Sequence, residues 1–288
     1  MLDLKSSQQY YEKPSENISN VKGILKIENI PNDITISTMT IVCKTGTTFN
    51  VGNIGHYLEL KQEKIFSVKY GTKPETNRTL DCKKRRRNLK NKTKKRNFYN
   101  QVSVEAKSSK GKTINIKLFS NGSIQMTGCK DVENSLDALN NLFNELQKIK
   151  AVYDPKTGKI IEKPYVNNHE MMSLQKITDL KIAMINSNFN IGFKIDRDKL
   201  FELMQKQGYV DCTYDPIIHA CVNIKYESDG KAVSIFVFES GSIIITGANN
   251  GKHINDAYNF INKLLCNNYK IIYKSDVLSN STILMYLS

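Results

Sequence analysis

Between Thr113 and Leu146 the apolar positions change their spacing twice. Ile114–Phe119 has the composition and alternation of a strand, and Ser120-Asn121-Gly122 breaks it as a turn. Ser123–Thr127 resumes the strand pattern and Gly128 ends it. From Asp131 to Lys148 the period lengthens to that of a helix, with Val132, Leu136, Leu139, Phe143 and Leu146 on one stripe. Asp131 and Glu133 suit the positive end of its dipole. The whole pattern returns 119 positions later, in Ala232–Leu265. From Phe119 to Leu146, ten of 28 positions are identical at that offset without a gap, so the chain is a two-copy repeat.

The remaining segments fit the same plan. Ile36–Asn50 suits a strand, Val51–Lys64 carries Ile54 and Leu58 at helical spacing, and Ile65–Tyr70 alternates. Phe98–Lys107 is a strand joined to the next by the Ser108–Lys112 loop. In the second copy, Ile177–Asn190 reads as a strand and Asp196–Gly208 as a helix capped by Asp196. Ile217–Tyr226 and Ala232–Phe238 form a hairpin, Ser242–Thr246 a strand, and Ile254–Leu265 the last helix. The expected organisation is a disordered tail at 1–22, one repeat over 23–150 with an unstructured insert at 71–97, and a linker at 151–168. A second repeat covers 169–270 and an extension of undecided structure 271–288. The expected class is α+β: an antiparallel sheet with helices on one side and a bare face on the other. Such a face normally meets a partner.

Strand alternation sorts the residues of that face. Leu118, Ile124 and Met126 should face the helices, as should Val237, Ile243 and Ile245. The open face then carries Phe119, Asn121, Ser123, Gln125 and Thr127, and in the second copy Phe238, Ser240, Ser242, Ile244 and Thr246. A phenylalanine beside a turn is more often a plug for the core. Its recurrence at one place on an otherwise polar face favours a functional role.

Composition changes this picture in one respect. The net charge of +14 is concentrated in Lys83–Arg96, where ten of 14 residues are basic, leaving +4 for the rest. Lys83, Lys84, Arg85, Arg86, Arg87, Lys94, Lys95 and Arg96 are candidate phosphate contacts. A nuclear-import signal or a solvated loop are the other readings of this run. No apolar run is long enough to span a membrane, and the first residues lack the apolar region of a signal peptide. The six cysteines are scattered, without a Cys-x-x-Cys pair, which favours a reduced intracellular setting over a zinc ribbon. No catalytic constellation and no cofactor motif is present. Cys212, His219 and Cys221 are the only candidates for a metal, and the bland reading, an unrelated trio in a hairpin, is much preferred.

The segments FSNGSIQMTGC and FESGSIIITGA, each followed by an amphipathic helix, resemble the repeat motif of the TATA-box-binding protein (TBP) family, close to IFxSGKxxxTGA. The resemblance covers roughly 23–150 and 169–270. The long insert and polar composition mark a divergent member, expected to come from a large DNA virus. What the resemblance implies is a saddle of two pseudo-symmetric repeats, its curved antiparallel sheet carrying helices on the convex side. The concave side would sit on the minor groove of double-stranded, AT-rich DNA, bending it with apolar wedges; the family is a standard example of this mode.

Matched residue by residue, Phe119 and Phe238 are one wedge of each repeat. The second wedge falls at Phe98 or Tyr99 in the first repeat and at Ile217 or Ile218 in the second. Thr127 and Thr246 match groove-facing threonines; Gln125, Ile244, Thr38, Thr40 and Asp179 are further groove candidates. Thr38 and Asp179 stand where the family has a central pair of asparagines, and Ser123 and Ser242 where it has lysines. The implied function is that of a transcription-initiation factor, not an enzyme, partnered by other initiation factors or RNA polymerase, with no membrane partner. It would act in the host nucleus or a cytoplasmic viral factory and could be packaged in the virion. The alternative is a protein-interaction or scaffold module on the same fold, without sequence-specific DNA binding.

Overall fold

The strands and helices follow from where the chain can hide its apolar side chains. In the computed structural model, residues 25, 27–71, 76–80, 99–209 and 211–275 are described. The basic run 83–96, Phe98, the 1–22 tail and most of the 271–288 extension lie outside them. The chain forms two compact units, one of residues 1–26 and 41–181, the other of 27–40 and 182–288. The division falls inside two strands, so residues 27–40, expected in the first repeat, belong to the second unit.

The first unit takes the end of β1 (Thr35–Lys44), helix α1 (Val51–Tyr57), β2 (Ile65–Lys69), β3 (Asn77–Thr79), β4 (Gln101–Lys107), β5 (Thr113–Phe119), β6 (Ser123–Cys129) and α2 (Val132–Leu146). Its strands run β1-β6-β5-β4-β2-β3, with antiparallel pairing along β6-β5-β4-β2-β3. Burial alternates strictly along β4, β5 and, as far as Thr127, β6. Val102, Val104, Ile116, Leu118, Ile124 and Met126 are fully buried, as are Leu139, Leu142, Phe143 and Leu146 of α2. Each such side chain removed from water contributes about 1.5–3 kcal/mol, which sets which face the helix covers. The Asp131 carboxylate caps α2 by accepting from the Asn134 amide at 2.7 Å.

The first unit also contains β7 (Lys150–Asp154) and β8 (Lys159–Lys163), a two-stranded hairpin where the sequence suggested a linker. The expected insert likewise contributes β3, which pairs with β2. Helix α1 is shorter than expected: it stops at Tyr57 because Leu58 turns to an extended conformation and buries its side chain.

The second unit repeats the plan with the start of β1, most of β9 (Thr178–Asn190), α3 (Arg197–Lys206), β10 (Cys212–Thr213), β11 (Cys221–Ser228), β12 (Lys231–Phe238), β13 (Ser242–Ala248), α4 (Gly251–Asn267) and the short α5 (Tyr269–Ile272). Its strand order is β10-β11-β12-β13-β9-β1. Ile235, Val237, Ile243 and Ile245 meet Ile254, Ala257, Ile261 and Leu265 in its core, all fully buried. Helix α4 begins three residues before the expected Ile254. The Asn250 side chain accepts from the His253 amide at 2.9 Å and caps it.

Candidate nucleic-acid interface

Each unit leaves one sheet face without a helix. On β5 and β6 the uncovered, half-buried positions are Asn115, Lys117, Phe119, Ser123, Gln125 and Thr127. On β12 and β13 they are Ser234, Phe236, Phe238, Ser242, Ile244 and Thr246. Glu105 also lies on the first of these faces.

The two phenylalanines close their strands at turns of the same construction. The Gly122 amide donates to the Phe119 carbonyl at 2.9 Å, and the Gly241 amide to the Phe238 carbonyl at 3.1 Å. Gly122 has φ +87° and Gly241 φ +80°. A methyl group on Gly122 would stand 2.4 Å from the Thr47 carbonyl oxygen, and on Gly241 2.3 Å from that of Phe193. Both the backbone conformation and the space require glycine. An incoming segment is bonded to each turn, through the Thr45 amide to Gly122 and the Ile191 amide to Gly241, both at 3.0 Å. The phenylalanines therefore sit on fixed corners.

A second exposed apolar group lies beside each corner. Tyr99 is 62% exposed, two residues before Gln101, which pairs with Phe119. Ile217 and Ile218 are 94% and 69% exposed, just before Cys221, which pairs with Phe238. Ile217 and Ile218 ride on a turn in which the Asp215 carbonyl accepts from the Ile218 and His219 amides at 3.1 and 2.7 Å. In the first unit the Ser120 amide donates to the Asn100 carbonyl at 2.9 Å and ties the two segments directly. In the second unit Arg197 does this: its guanidinium donates to the Ala220 carbonyl at 2.7 Å and to the Glu239 carboxylate at 3.0 Å. A hydrogen bond from Lys274, and then Arg197, hold the Glu239 carboxyl below its ordinary range.

β1 and β9 carry the remaining candidates. Asp179 lies near the start of β9. It belongs to the first unit, has φ +53°, is well exposed, and forms an ion pair with Lys44 at 3.1 Å. Asn186 takes the place beside Thr38, donating to its hydroxyl at 3.1 Å and accepting from Thr246. Asn188 donates to Ser37, and Asn190 reaches Ser242 at 3.5 Å. This asparagine ladder was not singled out from the sequence, although Asn186, Asn188 and Asn190 recur at the strand period. Thr40 is buried, with 8% of its surface exposed. Among the described residues, no group of three or more His, Cys, Asp or Glu side chains could hold a metal ion. Among them, too, no helix is long and apolar enough to cross a membrane.

Comparison with known proteins now decides the family. The chain is 40% identical to a TATA-box-binding protein-like protein of Acanthamoeba polyphaga mimivirus, across 93% of its own length and 74% of the relative's. The chain belongs to the TATA-box-binding protein family. Residues 179–268 match the model of "Transcription factor TFIID (or TATA-binding protein, TBP)". A TATA-box-binding protein of Methanococcus maripaludis is 27% identical over 53% of this chain and 66% of its own. The solved TBP of Methanococcus jannaschii aligns with a TM-score of 0.50 at 16% identity, covering 82% of this chain and 99% of that one. That likeness is one of fold, and it confirms the expected α+β TBP class. This is a TBP-like protein of transcription, in a family of non-enzymatic factors, and its mimivirus relative supports a viral origin.

Proposed function

We propose that each open face lies against the minor groove of double-stranded DNA and that the corner residues act as wedges that bend it during transcription initiation. The carrying observation is the recurrence of an apolar corner on a half-buried face of small polar groups, in both units. The minor groove presents a sparse acceptor pattern, which hydroxyls, amides and apolar surface can fit. Phe119 with Tyr99, and Phe238 with Ile217 and Ile218, offer flat or branched apolar groups that can replace base stacking at a kinked step. Thr127, Thr246, Gln125, Ile244, Thr38 and Thr40 are the proposed groove contacts, while Asp179 is engaged with Lys44. The basic run at 83–96 is the proposed phosphate contact. The preferred duplex is AT-rich, the partners are other initiation factors or RNA polymerase, and the setting is a host nucleus or viral factory, with packaging in the virion.

Fluorescence anisotropy and end-to-end energy transfer on AT-rich and GC-rich duplexes test this. Tight, salt-sensitive binding with bending is expected on AT-rich DNA. Phe119→Ala with Phe238→Ala should weaken binding by about 1–3 kcal/mol per ring and reduce the bend further than the affinity. Unchanged bending by the double variant would remove the wedge assignment. Glu105 on the first face favours the alternative, a protein-interaction module, since a carboxylate repels the groove. No duplex binding even at low salt would select that alternative.

A further inference from the structure

The segment between the two repeats builds a sheet of its own. β7 and β8 pair with each other, and among the described residues neither pairs with a further strand. The ribbon is fixed at its base: the Pro164 carbonyl accepts from the Asn53 side chain and the Tyr165 carbonyl from the Asn50 amide, both at 2.8 Å. Its tip is closed as well, where the Asp154 carboxylate accepts from the Lys156 amide at 3.0 Å and the Thr157 hydroxyl at 2.8 Å. Between base and tip, β8 is exposed from Lys159 to Glu162. Tyr153 and Ile160 stand opposite each other, 64% and 72% exposed, and form an apolar row across one face. A two-stranded ribbon that buries so little is marginal in water, and an edge of unpaired main chain is a template for another strand.

We propose that the outer edge of β8 receives a strand from an acidic partner protein, with carboxylates against Lys159 and Lys163 and an apolar side chain against Ile160. The charges select this occupant. Lys159, Ile161 and Lys163 lie on one face of the strand, Ile160 and Glu162 on the other. An added strand meets its neighbour pair by pair, so the residues opposite the two lysines should be Asp or Glu. The residue opposite Ile160 should be apolar, extending the row that Tyr153 begins.

Other occupants fit badly. Two β8 edges related by a two-fold axis centred on Ile161 would set Lys159 against Lys163 twice and Ile160 against Glu162. The chain's own basic run at 83–96 would bring like charge to the same lysines. A phosphate backbone can meet the lysines but leaves the Tyr153–Ile160 row in water. With five residues on the edge, the contact is small and of the transient kind.

The test uses the full chain and three capped peptides with the cores Glu-Thr-Val-Val-Glu, Gln-Thr-Val-Val-Gln and Lys-Thr-Val-Val-Lys, written to run antiparallel to β8. Amide NMR and hydrogen exchange follow the binding. The acidic peptide should bind about three- to tenfold more tightly than the neutral one, and the basic one least. Its shifts should gather at 150–163, with slower exchange along β8. Lys159→Gln with Lys163→Gln should abolish the preference for the acidic over the neutral peptide. If that variant loosens the ribbon, seen as faster exchange in β7, Ile160→Ser gives a second measure. It should weaken the acidic peptide by about threefold or more and keep the order of the three. Absence of binding, equal affinity for all three peptides, or shifts outside the ribbon overturns the proposal. A peptide-free dimer in sedimentation that Ile160→Ser dissolves would also overturn it, giving the edge to a second copy. Loss of duplex affinity in the double lysine variant, with no peptide preference in the parent chain, would overturn it in favour of DNA.

Discussion

The first and second units share a scaffold but hold their exposed corners differently. In the first, main chain binds main chain, Ser120 to Asn100. In the second, one guanidinium, that of Arg197, bridges the Ile217-Ile218 turn and Glu239. The long helices differ as well. Glu145 of α2 is buried, with 3% exposure, among Lys61, Lys64 and Lys148; the same repeat position in α4 is Leu264. What has stayed the same includes the two turn glycines, which the backbone requires, and Phe119 and Phe238, Thr127 and Thr246 with the glycines after them. Positions whose partners can be supplied in several ways have diverged.

The turn glycines give the severest test of this equivalence. Gly122→Val and Gly241→Val should each destabilise by about 2–4 kcal/mol, measured by urea unfolding, because both add left-handed strain and a main-chain clash. A tolerated substitution in one unit alone would show that the two corners are not built alike.

Arg197→Ala sharpens the contrast between main-chain and side-chain support. Amide hydrogen exchange at 215–220 should accelerate by about tenfold, the worth of one charged hydrogen bond, while the Tyr99-Asn100 turn keeps its rate. Equal rates with and without the guanidinium would mean that the Asp215 turn stands by itself.

The smallest effect concerns Glu145. Burial alone would raise its pKa, but hydrogen bonds from Lys148 and Lys61 outweigh it and leave the carboxyl below its ordinary range. Its contribution is therefore complete above the unfolded value of about 4.3 and lost as pH falls through the folded value. Glu145→Gln should cost about 1 kcal/mol at neutral pH, and the gap to the parent should close in acid. Leu264→Gln, its counterpart, should show no such closing. Denaturant titrations at pH 7 and pH 3.5 would reveal a constant gap if the lysines contribute nothing.

Much of this architecture was readable because burial and turn geometry leave few choices. The alternation through Leu118, Ile124 and Met126, and their counterparts Val237, Ile243 and Ile245, placed the covered face correctly. The β7-β8 hairpin was missed because Pro155 and Gly158 punctuate it like a linker. Yet Gly158 closes a turn onto the Asp154 carbonyl at 2.8 Å, between strands that pair Tyr153 with Ile160. The start of α4 was missed because its cap is an asparagine followed by glycine, which reads as loop until the side chain is seen to accept. The placing of Asp179 relied on matching a pattern by position. The strand it lies on changes units at Lys181–Ile182, and its own backbone is left-handed, neither of which position alone reveals. The Asn186 ladder needed three dimensions, since its partners Thr38 and Thr246 are far away in sequence.

The division of β1 has a consequence for synthesis. Residues 27–40 leave the ribosome before every strand of the first unit, yet they complete the second. At about 5–20 residues per second, the wait until α4 exists is roughly 10–40 s. Throughout it Ile36 and Met39 sit on a segment whose partners have not been made, open to the wrong neighbour. A cut between the repeats would leave the same problem permanently: the downstream half lacks residues 27–40, and the upstream half keeps β1 beside β6 but without its β9 neighbour.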